Sequence, residues 1–311
     1  MQVRPCRFAQ WEIRMGPLSA SGYRSVFRPG LMDGKLVWVT GGGSGIGRCT
    51  AHELAALGAR VLISGRKPEN LERVVAEIRE DGGQCEWTAF DIRDEEAVRS
   101  HVAQVVAQSG PIAGLVNNAG GQFPSPIQTI SKRGFEAVVA NNLTGGFLMM
   151  REVFEQSMQR HGGAIVNMTA DFRNGMPGMA HSGAARAGMS NLTMSASVEW
   201  AYAGVRVNAV APGWIASSGL DRYGPEVAPL IRRLAQHVPM RRLGLEAEVS
   251  AAIVFLLSPA AAFVTGVTLQ IDGGASLSSV LYPATEHAAA PAFEGFHRAT
   301  TPRVLREDDA S

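Results

Sequence analysis

Seven short apolar runs alternate along the chain with segments of helical periodicity, and this alternation restricts the possible folds more than any other feature. The first run leads into a glycine-rich turn, and a helical pattern with apolar Ile46, Leu54 and Leu57 follows it. A second helical pattern begins at Pro68, a residue that suits the first turn of a helix, and continues to about Glu80. Strands that are separated by helices pair in parallel, and helices then cover both faces of the sheet. The strand-like runs are Leu36–Val39, Arg60–Ile63, Cys85–Phe90, Ile112–Val116, Ala164–Met168, Val205–Val210 and Val267–Ile271, and further helical patterns lie near residues 94–108, 134–160, 182–203 and 246–257.

This pattern predicts an α/β fold: a single seven-stranded parallel sheet with helices on both faces, formed by residues 33–275. Residues 1–32 carry five arginines against one acidic residue. Such an N-terminal arm is typical of a partly disordered extension, of an organelle transit peptide, or of a start codon assigned too early, with Met15 as the true start. Residues 276–311 are rich in Ala, Pro and Ser, which predicts a C-terminal tail that is disordered or lies on the surface.

Charge and cysteine content exclude several classes of function. The formal net charge is +1, so no basic surplus indicates binding to nucleic acid or to a membrane surface. No apolar run approaches the ~20 residues of a membrane span. The three cysteines, Cys6, Cys49 and Cys85, are scattered, and the histidines lack metal-ligand spacing, so we expect neither disulfides nor a metal site. We expect a cytoplasmic protein that acts on a small molecule.

The glycine-rich turn predicts a phosphate-binding site. Residues 40–47 read Thr-Gly-Gly-Gly-Ser-Gly-Ile-Gly, and glycines let the backbone approach a pyrophosphate at the positive end of the following helix. The spacing G-x-x-x-G-x-G resembles that of the short-chain dehydrogenase/reductase family. The resemblance continues in the same order at Asn117-Asn118-Ala119-Gly120, Asn142-Leu143-Thr144-Gly145, Pro212-Gly213 and Asp272-Gly273-Gly274. It implies a Rossmann-type, doubly wound sheet, a nicotinamide cofactor and a homodimer or homotetramer.

The end of the second strand predicts which nicotinamide cofactor is bound. NAD enzymes place a carboxylate there to hold the ribose 2′-hydroxyl, whereas a 2′-phosphate requires a cation. This chain has Ser64-Gly65-Arg66-Lys67, and Arg66 can offer a planar fork to a phosphate, so we predict NADP(H). The expected cofactor-binding residues, most of them implied by the family resemblance, are Gly41, Ser44, Gly45, Ile46, Gly47, Arg66, Asp91, Ile92, Asn118, Ala119, Gly120, Arg186, Pro212, Gly213, Ile215 and Ser217.

The catalytic positions of the family are altered in this chain. Most members use a serine, a tyrosine about thirteen residues later and a lysine four residues after the tyrosine. Aligning the helix on Ala187-Gly188 places Arg186 at the lysine position and Ser182 at the tyrosine position. No lysine follows Lys132, and no tyrosine has a lysine four residues later, so no alignment restores the motif. With the two remaining family positions included, the candidate catalytic residues are Asn142, Thr169, Ser182 and Arg186.

The loss of the tyrosine–lysine pair favours conjugate reduction over carbonyl reduction. A serine ionises far above the phenol pKa of about 10, and an arginine keeps its proton, so neither residue serves well in proton transfer to an alkoxide. Reduction of a C=C bond conjugated to a thioester needs only donors that stabilise an enolate oxygen, such as Thr169, Ser182 and the cofactor ribose. Residues 118–123 and 181–188 also resemble peroxisomal-type trans-2-enoyl-CoA reductases. We therefore predict an NADPH-dependent enoyl-CoA reductase of fatty acid metabolism, which adds hydride to the β-carbon.

Two features leave alternatives open. Asp171 occupies the position of a tyrosine that helps to hold the thioester carbonyl in the related 2,4-dienoyl-CoA reductases. If its carboxyl group is ionised, Asp171 would repel an enolate, and if the group is protonated, Asp171 would act as a hydrogen-bond donor. Residues 176–179 and 211–219 resemble bacterial citronellol/citronellal dehydrogenases, with Trp214, Met176 and Met179 as an apolar pocket for an acyclic terpenoid alcohol or aldehyde. His181 or Asp171 would then supply the acid. A catalytically silent nucleotide-binding subunit is the remaining alternative.

Overall fold

The computed structural model describes residues 22–224, 227–279, 281 and 284–306. The strands are β1 Leu36–Thr40, β2 Arg60–Gly65, β3 Gln84–Ala89, β4 Ile112–Asn117, β5 Gly163–Met168, β6 Val205–Pro212, β7 Ile215–Ala216, β8 Gly244–Leu245 and β9 Thr268–Ile271. Seven of them form one parallel sheet in the order β3-β2-β1-β4-β5-β6-β9, which confirms the predicted doubly wound fold. The two-residue strands β7 and β8 pair separately, and the sequence pattern did not predict them.

Helices connect the strands at nearly the predicted positions. They are α1 Gly45–Ala56, α2 Pro68–Glu80, α3 Glu95–Ser109, α4 Lys132–Val139, α5 Gly145–Val153, α6 Gln159–His161, α7 Ala180–Glu199, α8 Ala228–Arg233 and α9 Glu246–Leu257. The helical pattern near residues 134–160 is a continuous stretch, α4 to α6, that contains two π-helical turns, Ala140–Thr144 and Phe154–Met158. Such turns often occur at functional sites, and the first one contains the candidate residue Asn142.

The central strand β1 divides the core into two layers. Its five residues are buried, and successive side chains point to opposite faces of the sheet. Val37 and Val39 pack in a cluster with α1, α2 and α9, whereas Leu36 and Trp38 pack in a second cluster with α3, α5 and α7. Because both faces are buried, β1 is apolar without alternation, as expected of a central parallel strand.

Segments near the two ends of the chain pack together on α1. Tyr23 stacks on Phe296 with ring centroids 5.7 Å apart, and its hydroxyl donates to the buried carboxylate of Glu53 at 3.1 Å. Met32 is fully buried, and its amide donates to the Leu57 carbonyl. Residues 1–21 of the predicted arm, including Met15, and residues 307–311 of the predicted tail lie outside the described residues.

The described ranges contain neither a membrane-spanning helix nor a metal site. Within residues 22–224, 227–279, 281 and 284–306, no helix has both the length and the apolar character needed to cross a bilayer. Over the same residues, His, Cys, Asp and Glu side chains form no group of three or more that is suited to a metal ion. Cys49 and Cys85 are buried free thiols, and Cys6 lies outside the described residues.

Candidate active site

The glycine-rich turn closes against the end of β4, where the strand order of the sheet reverses. Asn118 holds the turn, since its side-chain amide donates to the carbonyls of Thr40 and Gly41 at 3.0 and 3.2 Å. A Cβ atom at Gly47 would lie 2.4 Å from this amide nitrogen and 2.5 Å from the Gly41 carbonyl oxygen. The turn therefore requires glycine at position 47. Ser44 precedes α1 without capping it through its side chain, so the first helical amides remain available to an anion.

Two adjoining cavities share the walls formed by Ser44, Asn118 and Gly120. The first has a volume of about 430 Å³ and extends from the turn to the end of β2. Its walls contain eight predicted cofactor residues: Gly41, Ser44, Arg66, Asp91, Ile92, Asn118, Ala119 and Gly120. The second has a volume of about 340 Å³, and its walls contain Gly45, Ile46, Pro212, Gly213, Ile215, Ser217, Thr169 and Arg186. Among the predicted site residues, Gly47, Asn142 and Ser182 lie behind these walls.

Positive charge concentrates at the end of the first cavity that lies next to β2. Arg66 and Lys67 are exposed there, directly after β2. Arg93 binds both carboxylate oxygens of Asp91, and its hydrogen bonds, with the nearby charge of Arg66, keep the pKa of Asp91 below its usual value. The negative charge of Asp91 is thus already paired, whereas Arg66 forms no ion pair with any of the described residues. This end of the cavity suits a phosphate.

Asn142 and Arg186 converge beneath Gly120, where the two cavities meet. The Asn142 side chain binds Gly121 twice, accepting from its amide at 2.8 Å and donating to its carbonyl at 3.0 Å. Arg186 donates to the Met168 carbonyl at 2.6 Å, and its Nε has no hydrogen-bond partner among the described residues. A Cβ at Gly120 would lie 2.7 Å from the Arg186 guanidinium and 2.8 Å from the Asn142 carbonyl oxygen. Burial lowers the pKa of Arg186 to about 10, which leaves it cationic near neutrality.

The two candidate hydroxyls already donate their hydrogens within the protein. Thr169 follows β5 and donates to the Val210 carbonyl at 2.8 Å. Ser182, in the first turn of α7, is fully buried and donates to the side-chain oxygen of Gln122 at 3.2 Å. Gln122 in turn donates to the hydroxyl oxygen of Tyr223 at 3.4 Å, and both of these residues line the second cavity. The sequence reasoning assigned no role to Gln122 or Tyr223.

Asp171 and His181 are the other acid candidates, and both have an atom without a partner. One carboxylate oxygen of Asp171 is buried without a hydrogen bond to a described residue, and Asp171 lines the second cavity. Burial, reinforced by the nearby charge of Asp272, raises the pKa of Asp171. His181 is fully buried, and its Nδ1 accepts from the Ser182 amide at 2.9 Å. His181 does not line either cavity, so of the two only Asp171 is placed to contact a substrate.

The rest of the second cavity is largely apolar. Its walls include Met176, Met179, Trp214, Phe123 and Leu220. Mixed apolar walls with a few polar groups are typical of a site for a small organic molecule. The predicted pocket residues Trp214, Met176 and Met179 are therefore brought together.

Glu246 is a further charged residue beside the glycine-rich turn. A Cβ built at Gly45 would lie 3.8 Å from its carboxylate oxygen. Burial raises the pKa of Glu246 to about 7. No local pattern pointed to this residue, because it begins α9, two hundred residues after the turn.

Comparisons with known proteins place this geometry in a family context. Residues 41–276 match the family model described as Enoyl-(Acyl carrier protein) reductase. The peroxisomal 2,4-dienoyl-CoA reductase [(3E)-enoyl-CoA-producing] of Pongo abelii is 36% identical over 262 residues, which cover 82% of this chain and 88% of that protein.

Two solved structures are similar to this chain over most of its length. The citronellol catabolism dehydrogenase (AtuB) of Pseudomonas aeruginosa PAO1 is 61% identical with a TM-score of 0.75, and the match covers 82% of this chain and 100% of that one. A single-residue variant of actinorhodin polyketide ketoreductase, solved with NADPH, is 30% identical with a TM-score of 0.74, and the match covers 78% of this chain and 98% of that one.

Proposed function

Because the chain belongs to the short-chain dehydrogenase/reductase family, we propose that this oxidoreductase uses NADPH to reduce the C=C bond of an unsaturated acyl-CoA thioester, of trans-2-enoyl or 2,4-dienoyl type. The observation that carries the proposal is the pair at the start of α7. Ser182 and Arg186 occupy the positions at which most members have tyrosine and lysine. The relatives named 2,4-dienoyl-CoA reductase support the same class of substrate.

The choice of NADPH rests on the charges of the first cavity. The tight glycine contacts at positions 41, 47 and 120 form a cradle that side chains would fill, which fits a dinucleotide. Arg66 and Lys67 then lie where a 2′-phosphate would need a cation. Arg186, cationic beneath Gly120, would hold the nicotinamide ribose, and Asn142 would keep the backbone at Gly121 in place. When bound, NADPH supplies the hydride.

The side chains of the second cavity favour conjugate reduction. Arg186, whose pKa burial lowers to about 10, stays cationic near neutrality, and the Ser182 hydroxyl is buried and donates to Gln122. Carbonyl reduction needs a proton delivered to oxygen as the hydride arrives at carbon, whereas conjugate reduction needs only a donor that stabilises the enolate oxygen. Such a donor lowers the barrier because negative charge develops on that oxygen in the transition state.

A second candidate function is oxidation or reduction of an acyclic terpenoid alcohol or aldehyde. The 61% identity to a citronellol catabolism dehydrogenase favours it, and so does the apolar wall with Trp214, Met176 and Met179. The same wall would suit a branched acyl chain on a thioester. In this second function Asp171, whose pKa is raised, would be the acid.

A substrate panel tests the proposal. Purified protein is mixed with NADPH and crotonyl-CoA, a longer trans-2-enoyl-CoA, 2,4-hexadienoyl-CoA or citronellal, and the loss of NADPH absorbance is followed. We expect turnover of the thioesters with kcat/KM at least tenfold above that of citronellal. Turnover of citronellal alone would establish the second function. Tight NADPH binding without turnover of any substrate would indicate a catalytically silent nucleotide-binding subunit.

A further inference from the structure

A chain of three polar side chains leads from α7 to the wall of the second cavity. Ser182 donates to the Gln122 oxygen at 3.2 Å, and the Gln122 amide nitrogen donates to the Tyr223 hydroxyl oxygen at 3.4 Å. Ser182 is fully buried, whereas Gln122 and Tyr223 form part of the cavity wall. The three residues come from α7, from the loop after β4 and from the segment before α8, so only the fold brings them together.

The hydroxyl groups of Ser182, Thr169 and Tyr223 differ in whether they already donate a hydrogen bond within the protein. The Ser182 hydroxyl donates its hydrogen to the side-chain oxygen of Gln122, and the Thr169 hydroxyl donates its hydrogen to the Val210 carbonyl. Arg186 donates to the Met168 carbonyl. The Tyr223 oxygen accepts from Gln122, and the Tyr223 hydroxyl donates no hydrogen bond to any residue in the described part of the chain. Among the hydroxyls named here, that of Tyr223 therefore has its hydrogen available to a bound molecule.

We propose that Tyr223 is a catalytic residue of the proposed reaction, donating a hydrogen bond to the substrate's thioester carbonyl oxygen. As a hydride passes to the substrate carbon, the C=C electron pair moves toward the carbonyl and the oxygen becomes an enolate. The Tyr223 hydroxyl, polarised because its oxygen accepts from Gln122, stabilises that oxygen. Water then supplies the proton that binds to carbon, and this proton together with the hydride completes the reduced thioester. This inference rests on the proposed function for the identity of the oxygen.

The surroundings of Tyr223 hold it in one place. Its ring packs against a small apolar cluster that contains Leu220, Ile231 and Leu234. Val304 and Leu305, from the C-terminal segment, pack on the same cluster. The Val304 amide donates to the Asp221 carboxylate at 3.2 Å, which ties that segment to the turn just before Tyr223. A donor held in this way acts with little reorganisation, which is the condition under which such groups are most effective.

The test compares Tyr223→Phe with a matched control, Tyr202→Phe. Both variants lose one phenolic oxygen, and Tyr202 is exposed near the far end of α7, where it accepts from Gln159. With 2,4-hexadienoyl-CoA and saturating NADPH, we expect Tyr223→Phe to lower kcat by about 10²-fold, as removal of one such donor does elsewhere. Tyr202→Phe should stay within about twofold of the wild type.

A spectroscopic readout separates donation from a structural role. A hydrogen bond to the carbonyl oxygen polarises a conjugated dienoyl thioester and shifts its absorbance to longer wavelength. The shift is measured for hexadienoyl-CoA bound with NADP+, in which no turnover occurs. We expect the wild type and Tyr202→Phe to show it. We expect Tyr223→Phe to bind NADP+ with unchanged Kd, to bind the thioester up to about tenfold more weakly because one hydrogen bond is lost, and to show a reduced shift.

Each other result contradicts the inference. Unchanged kcat and an unchanged shift in Tyr223→Phe would remove Tyr223 from the reaction, and a weakened Kd for NADP+ would indicate a structural role. Loss of the shift in Asp171→Asn alone would identify Asp171 as the donor instead. If the wild type reduces citronellal but no thioester, the proposed function is wrong, and the same two tyrosine variants then test donation to an aldehyde oxygen. A wild type that reduces neither class of substrate contradicts both proposals.

Discussion

Replacing Arg66 with aspartate should change which nicotinamide cofactor the protein prefers. Arg66 is exposed directly after β2 and lines the first cavity. The neighbouring Asp91 is already bound by Arg93, so in the proposed function Arg66 is free, with Lys67, to meet the 2′-phosphate. In Arg66→Asp a carboxylate would stand where NAD enzymes hold the ribose 2′-hydroxyl.

The size of the effect follows from two contributions. Loss of charge-assisted hydrogen bonds to the phosphate costs about 1.5 kcal/mol, the lower end of the usual range, because Arg66 is exposed. Repulsion between the new carboxylate and a phosphate of nearly two charges adds about 1.5 kcal/mol at roughly 5 Å in a medium like water. Together they correspond to an increase of about 10²-fold in the Kd of NADPH. The Kd of NADH should change less than about threefold, since NADH has no 2′-phosphate.

Titration of cofactor fluorescence measures both dissociation constants. Arg160→Asp provides the control, because it makes the same change in net charge at an exposed site outside both cavities. We expect it to leave both values unchanged within about twofold at moderate ionic strength, where distant exposed charges are screened. An equal loss of NADPH and NADH affinity in Arg66→Asp would refute the assignment of Arg66 to the phosphate.

Three further changes test other parts of the site. Burial raises the pKa of Glu246 to about 7, so its carboxyl is neutral below that pH and negatively charged above it. Because the charged carboxylate would repel the phosphates of NADPH, the affinity for NADPH should fall as the pH rises through 7. Glu246→Gln should remove this pH dependence in fluorescence titrations. Gly47→Ala would place a methyl group 2.4 Å from the Asn118 amide nitrogen, so calorimetry should show a loss of about 1–3 kcal/mol of stability, with weaker NADPH binding. Restoring the family pair in Ser182→Tyr with Arg186→Lys should raise the ratio of citronellal turnover to enoyl thioester turnover.

Matched controls make these results decisive. Glu248→Gln changes a carboxylate two residues away that is paired with Arg242, and it should leave the pH dependence of NADPH binding in place. Gly65→Ala would bring a methyl group to an ordinary 3.5 Å from Leu71, and it should cost less stability than Gly47→Ala. A rise in thioester turnover relative to citronellal turnover in the double variant would contradict our interpretation of Ser182.

Most of the fold could be predicted from periodicity. The predicted range of α9 coincides with Glu246–Leu257, and the strand predicted at Val205–Val210 extends only two residues further, to Pro212. Long helices and strands can be predicted because burial on one or both faces imposes a repeat of apolar residues that is visible over many positions. The pair β7 and β8 could not be predicted, since two-residue strands are too short to show any period.

The glycine-rich turn was also accessible from local sequence, whereas the polar chain along the second cavity was not. Gly41, Gly47 and Asn118 lie in short motifs whose residue types follow from backbone contacts within the turn. Gln122 lies within residues 118–123, a run that resembles other family members as a whole, and no local motif contains Tyr223. Their contact joins residues 101 positions apart, through side chains that no local pattern connects.

The sequence alone determined that no tyrosine is followed four residues later by a lysine, because the order of residues along the chain does not depend on the fold. That absence excludes the proton chemistry of most family members. Only the tertiary structure decided which hydroxyl groups have no acceptor in the part of the chain that the structure describes, because the acceptor of each donor lies on an element that is distant in the sequence. Thr169 and Ser182 donate within the protein, and the Tyr223 hydrogen has no acceptor among the described residues.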